Sequence, residues 1–153
     1  GGSFNINPPI PRILLAQVKR PDGAFVVDAI STDGGCIPRN VILSQGLSLV
    51  KLDVLTLAEF AQKTSLNPAR MLRLTAKGHL SVGADADITI YDYATQTPKM
   101  SFVEGRKVLF KGEVLGKNAN IICTERGQKA IEARGLKAIV VDPGLPVDRV
   151  KAL

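Results

Sequence analysis

Histidine is almost missing from this chain: 153 residues hold one, His79, and there is no tryptophan. A catalytic zinc wants at least three protein ligands. No serine here has a histidine partner at a recognisable spacing, so a serine hydrolase is not supported. Cysteine is nearly as scarce. Cys36 and Cys123 lie far apart and outside any CxxC pattern, which excludes a zinc ribbon or redox pair on spacing and leaves reduced thiols in a cytosolic protein as the default. Aromatic residues make up 5%, against 20 Lys and Arg and a net charge of +6. Without stacking rings beside the scattered basic residues, no nucleic-acid surface is expected. The excess reads as a solvated basic surface, or as charge balanced by sequence outside this chain. No apolar run approaches the roughly 20 residues that span a bilayer, so no membrane partner is expected. The N-terminus lacks a signal-peptide pattern, and Gly1-Gly2-Ser3 looks like a scar or a cut end. No GxGxxG, P-loop or internal repeat is present. With 45% hydrophobic residues and no low-complexity block, the chain should be globular and of single-domain size.

What is present changes character along the chain. Residues 4–12, FNINPPIPR, carry three prolines and read as an extended loop, followed by a short apolar segment over 13–19. RPDG at 20–23 is a turn. Residues 24–32, AFVVDAIST, read as a strand buried on both faces, ending at Asp33-Gly34-Gly35. A helix is expected over 40–49, weakened by Gly46. Thr56-Leu57-Ala58-Glu59 forms a capping box that opens a helix through Lys63. Ser65 or Asn67 should cap the next helix, with Pro68 in its first turn. Leu55, Phe60, Met71, Leu72 and Leu74 are core candidates. The period then changes to two. Strands are expected over 88–91, 100–103 and 106–110, with Glu104-Gly105 as a tight hairpin turn and Lys111-Gly112 as the next. A strand at 120–123, a helix at 125–133 ended by Gly135 and a strand at 138–141 complete the pattern.

Asp33 is the strongest chemical candidate. It follows a buried strand, and in (β/α) barrels that rim gathers catalytic residues. The bland alternative is an Asx-type turn. The stretch 78–92, GHLSVGADADITIYD, has glycines bracketing a short segment before a strand. Its Asp85 and Asp87 read as turn and strand-start hydrogen-bond acceptors, and His79 as a surface residue. Asp53 and Glu59 read as solvated helix residues.

Five segments between residues 5 and 114 occur in a collinear order that resembles the amidohydrolase superfamily, most of all its dihydroorotase, hydantoinase, D-aminoacylase and formylmethanofuran dehydrogenase A subunit branches. They are NPPIPR at 7–12, DGAFVVDAISTD at 22–33, TSLNPARMLRL at 64–74, KGHLSVGADADITIYD at 77–92 and VEGRKVLFKGEV at 103–114. The resemblance implies an α/β fold: the C-terminal end of a (β/α)8 TIM-type barrel over 1–76, a small β-rich composite sandwich segment over 77–116, and a strand–helix–strand extension with a tail over 117–153.

The resemblance further implies hydrolysis of a C–N bond in an amide or cyclic amide. A divalent metal, in these families zinc, polarises the carbonyl and activates hydroxide, while Asp33 contacts the metal and passes a proton to the departing nitrogen. Asn7, Arg12 and Gly34 fall at substrate-binding positions. Two departures stand out: Gly34 replaces a usual His, and Arg12 comes one residue late. The HxH pair and carboxylated lysine of the superfamily are absent here, so this chain should not be active alone. Its expected partner is the remaining barrel portion of the same protein, in a cytoplasmic homo-oligomer. The alternative is a non-catalytic subunit or pseudo-enzyme serving assembly; a free-standing β-rich interaction domain would instead melt cooperatively alone.

Overall fold

The computed structural model describes residues 9–32, 40–116 and 120–141. They fall into two compact units, one running to Pro68 and including Asp92–Thr97, the other made of Ala69–Tyr91 and the residues from Pro98 onward.

The first unit opens with helix α1, Pro9–Gln17, where an extended loop is expected up to residue 12. Proline breaks a helix only where its N–H is needed and its ring meets a preceding turn. Pro9 and Pro11 both lie in the first turn, whose N–H groups have no intrahelical acceptor. After α1 the chain reverses through Arg20–Gly23, with Gly23 at φ +83°. The reversal brings Phe25 against Lys19 as an isolated bridge, and the Val26 N–H donates to the Val18 carbonyl at 3.0 Å.

The buried strand expected over 24–32 does not form. That segment is irregular, with bends at Val26 and Val27 and a single bridge at Phe25, and from Val27 onward its described backbone bonds go to a helical run. Helix α2 spans Ile42–Lys51. Gly46, the residue that weakens its propensity, is required by packing. A Cβ there would lie 2.2 Å from Cε2 of Phe60, so only glycine admits the ring. The core of this unit is Ala16, Phe25, Leu47, Val50, Leu55 and Phe60, all buried. The Gln96 amide reaches α2 as well, donating to the Ser44 carbonyl at 3.1 Å and to Ser48 Oγ at 3.0 Å.

Helix α3, Leu57–Ala61, starts as its capping box dictates: Glu59 N–H donates to Thr56 Oγ1 at 3.2 Å, and Thr56 N–H to Glu59 Oε2 at 2.8 Å. No second cap follows. The chain passes through a π-helical turn, Gln62–Leu66, directly into α4, Asn67–Met71. Asn67 has helical dihedrals, φ −64° and ψ −46°, and donates its N–H to the Gln62 carbonyl. Because Pro68 has no N–H, a widened turn before it sacrifices no bond there. Met71 and Leu72 are exposed at 42% and 37%, contrary to their expected place in the core. They stand at the helix end, where the chain turns away with Arg73 at φ +56°.

Mostly in the second unit, β1 (Ile88–Asp92), β2 (Thr97–Val103), β3 (Arg106–Phe110) and β4 (Glu113–Val114) form a sheet in that order, with Asp92 and Thr97 counted to the first. The β2–β3 pairing is antiparallel, and Val103 opposite Arg106 leaves a two-residue turn. Glu104 at φ +50° and Gly105 at φ +73° match the primed turn that the strand twist favours. Lys111 and Gly112, at φ +49° and +88°, repeat the device between β3 and β4. Strand β5 (Asn120–Cys123), helix α5 (Glu125–Glu132) and strand β6 (Lys137–Val140) form a parallel β–α–β element, with Gly135 at φ +71° after the helix. Both strands and the helix fall close to their expected positions.

Candidate functional site

The chain that leads toward Asp33 is held by the helical run opposite it. The Ile30 N–H donates to the Lys63 carbonyl at 3.1 Å. Lys63 Nζ donates to the Val27 carbonyl, and Asn67 Nδ2 to the Asp28 carbonyl at 2.7 Å. These bonds occupy backbone groups that a neighbouring strand would otherwise pair. Phe60, Lys63 and Asn67 recur at helical spacing and all three are buried, Lys63 at 0% and Asn67 at 3% exposure.

A buried ammonium is costly unless it is well partnered. Lys63 is compensated by the Val27 carbonyl and by the Phe25 ring, whose centroid lies 3.8 Å from Nζ. Burial pushes its pKa down from the ordinary lysine value, and the charges of Asp28 and Glu59 pull part of the way back. Lys19 approaches the same ring at 5.0 Å and pairs with Glu59 at 2.5 Å. Glu59 is therefore not the solvated helix residue its position suggests. The Lys19 ammonium, then the Thr56 N–H, hold its carboxyl below the usual range.

Beside this cluster lies a cavity of about 190 Å³ lined by Lys19, Phe25, Asp28, Glu59, Gln62 and Asn67 among others. Asn67 Oδ1 is buried without a hydrogen-bond partner among the described residues. The lining residues include no hydroxyl, thiol or imidazole, and the Lys19 amine is taken up in its ion pair with Glu59. The chemistry of the cluster is that of an anchor.

Of the residues singled out in sequence, Asn7, Asp33 and Gly34 lie outside the described residues, as does Cys36. Arg12 sits on α1 and is exposed. His79 Nε2 lies 2.8 Å from the Thr75 carbonyl. Among the described residues no three His, Cys, Asp or Glu side chains gather into a group that could hold a metal, so these residues alone do not make a metal centre. Sequence reasoning does not single out Lys63 and Asn67 as a pair. The signal available is a lysine and an asparagine four residues apart, at helical spacing from Phe60.

In the second unit the DAD carboxylates form a junction. Lys77 Nζ lies 2.7 Å from Asp85 Oδ2 and 2.6 Å from Asp87 Oδ2, and Asp87 Oδ1 accepts the Glu104 N–H at 2.7 Å. The Asp85 and then the Asp87 carboxylate raise the Lys77 pKa. Burial alone would raise that of Asp87, but Lys77 and the Glu104 N–H together outweigh it and hold it low. Loop 77–87 is thereby tied to the turn between β2 and β3.

The Amidohydrolase family model matches residues 45–115. A dihydroorotase of Syntrophus aciditrophicus is 50% identical over 48 residues, 31% of this chain and 11% of the relative. The FhcA component of the formyltransferase/hydrolase complex Fhc of Methylorubrum extorquens is 30% identical over 121 residues, 75% of this chain and 20% of the relative. The chain belongs to the amidohydrolase superfamily. Another dihydroorotase, from Methanothermobacter thermautotrophicus, is 29% identical over 113 residues, 58% of this chain and 26% of the relative. The amidohydrolase chain thus spans between about a tenth and a quarter of these relatives. In fold it is similar to the crystal structure of the Methylorubrum FhcABCD complex with methylofuran, at a TM-score of 0.52 and 20% identity, covering 79% of this chain and 29% of that one. Its fold is α/β and of the amidohydrolase kind. No helix among the described residues is long and apolar enough to cross a membrane.

Proposed function

We propose that this chain is the C-terminal part of a metal-dependent hydrolase that cleaves C–N bonds of amides or cyclic amides. Residues 1–76 would close a (β/α)8 barrel, 77–116 would belong to a composite β-sandwich, and 117–153 would extend it. Asp33 is the residue assigned to proton transfer and to the metal, with Asn7, Arg12 and Gly34 near the substrate. The metal, zinc in this reading, would be completed by ligands outside the described residues, and the remaining barrel is the chain's first partner. The protein would work in the cytoplasm as a homo-oligomer.

The observation that carries the reading is the Amidohydrolase family match over residues 45–115, which takes in the helical run and the 78–92 stretch, together with the similarity to dihydroorotases. The test is made on the complete protein. Divalent metal is measured by elemental analysis, and turnover is assayed on a panel of cyclic imides, dihydropyrimidines and N-acyl amino acids. Asp33→Asn should lower kcat by about 10²-fold or more, the scale of a lost proton-transfer group. Absence of bound metal, or wild-type turnover in Asp33→Asn, would sink the assignment. Gly34 in place of the usual His supports the second reading, a non-catalytic family member serving assembly, for which no substrate in the panel turns over.

A further inference from the structure

We infer that the cavity beside Lys63 is a binding site for a small organic cation that carries N–H donors, a primary ammonium or a guanidinium group. The inference is independent of the role proposed for Asp33, and every residue it uses lies in the first unit.

The walls come from two stretches. Lys19, Phe25 and Asp28 belong to the chain reversal after α1 and the segment behind it, and Glu59, Gln62 and Asn67 to the helical run. A volume of about 190 Å³ has room for about six waters, or for one molecule of a few heavy atoms. Two carboxylates stand here against one ammonium, Lys19, which is already paired with Glu59. Lys63 does not line the cavity, and its ammonium is taken up by the Val27 carbonyl. An anion would therefore meet the Asp28 charge with no uncommitted cation to hold it, whereas a cation is drawn in.

The walls also choose the kind of cation. Asn67 is 3% exposed, and its Oδ1 has no hydrogen-bond partner among the described residues. The Asp28 carbonyl can only accept, so the amide nitrogen must face it and the oxygen is the atom left over. A buried acceptor of this kind is costly until it receives a donor. A bare metal ion wants a fuller shell of oxygen ligands, and no three carboxylates, histidines or cysteines gather among the described residues. The Phe25 ring, which lysine ammoniums approach at 3.8 and 5.0 Å, suits an organic cation. An ammonium or guanidinium has enough N–H groups to serve the Asp28 carboxylate and Asn67 Oδ1 together. Bound there, it joins the segment behind the reversal to the helical run, so its binding is read as added stability.

The test uses the complete protein, with methylammonium and methylguanidinium chlorides as probes. Tetramethylammonium and potassium chlorides serve as controls at equal ionic strength. Binding is followed by calorimetric titration and by thermal denaturation. Both probes should bind saturably, on the millimolar scale expected of such small molecules, and raise the melting temperature. Tetramethylammonium, which has the charge but no N–H, and potassium should do neither. Asp28→Asn should weaken probe binding by about 10-fold or more. Gln62→Glu, which adds a carboxylate to the wall at unchanged size, should tighten it by about 10-fold. That gain cannot come from damaged folding, so it decides the matter if Asp28→Asn does not melt cooperatively. No saturable response to either probe, an equal response to tetramethylammonium or potassium, or an affinity that Gln62→Glu leaves unchanged overturns the inference.

Discussion

Gly46→Ala sets helix propensity directly against packing. In a free helix the substitution would stabilise by about 1 kcal/mol. Here the new methyl would fall 2.2 Å from Cε2, 2.9 Å from Cδ2 and 3.0 Å from Cζ of Phe60. Carbon atoms sit comfortably at about 3.5–4.0 Å, so the ring or the helix must give by more than about 1 Å. Phe60 is 5% exposed and the neighbouring Leu47 is fully buried, which leaves the ring no space nearby. Overpacking of this kind costs about 1–3 kcal/mol or somewhat more, and expelling the ring altogether forfeits about 1.5–3 kcal/mol of burial. Once the propensity gain is subtracted, a net loss of about 1–2 kcal/mol remains. Native-state hydrogen exchange on peptides covering α2 and α3 of the complete protein should show protection falling by roughly 5- to 30-fold. A sign reversal is expected in a second background. With Phe60→Ala in place the clash is gone, and Gly46→Ala should raise protection. If Gly46→Ala raises protection in the native background too, the packing account of this glycine is wrong.

Two further outcomes concern the second unit. Lys77 is raised by Asp85 and Asp87, and Asp87 is held low chiefly against its own burial. The Asp87 contribution is therefore fully present above the ordinary aspartate pKa and is lost as pH falls through its lower folded value. The Lys77 contribution is fully present below the ordinary lysine pKa and is lost as pH rises through its raised value. Lys77→Met should flatten both edges of the stability–pH profile by an amount on the order of 1 kcal/mol, as befits partly exposed partners; an unchanged acid edge would refute the role of the junction. Gly105→Val should destabilise the β2–β3 turn by about 1–2 kcal/mol, because a branched side chain resists φ +73°. Gly105→Asn should be nearly neutral, since the nearest atom to an added Cβ is 3.9 Å away and asparagine tolerates that conformation. Equal effects of the two changes, read by thermal denaturation, would show that space and not backbone conformation decides the site.

Local chemistry makes much of this fold legible in the sequence. The Thr56–Glu59 capping box, the Glu104-Gly105 turn and the 125–133 helix each depend on neighbours a few residues apart, and each forms close to where it is expected. The errors fall where a distant or missing neighbour decides. Residues 24–32 have strand composition, yet a strand needs a partner, and this segment finds Lys63 and Asn67 instead. Pro9 and Pro11 argue against a helix by composition, while their place in its first turn admits one. Gly46 counts against a helix on propensity but is explained by Phe60, 14 residues away in sequence (60 − 46). The superfamily is readable because its motifs are strings. The anchoring of the approach to Asp33 is not, because it is a contact between segments more than 30 residues apart.

The π-helical turn at Gln62–Leu66 is also a dial. Each residue of an α-helix advances the azimuth by about 100°, and a single wide turn inserts the equivalent of one extra step. Side chains before and after it are thus indexed to different directions by one residue of chain length. Tightening the wide turn to a regular α-helix at unchanged length would leave every residue where it is in sequence while swinging Asn67 roughly a quarter-turn from the Asp28 carbonyl. The wide turn, and not the composition of the stretch, sets where Asn67 points.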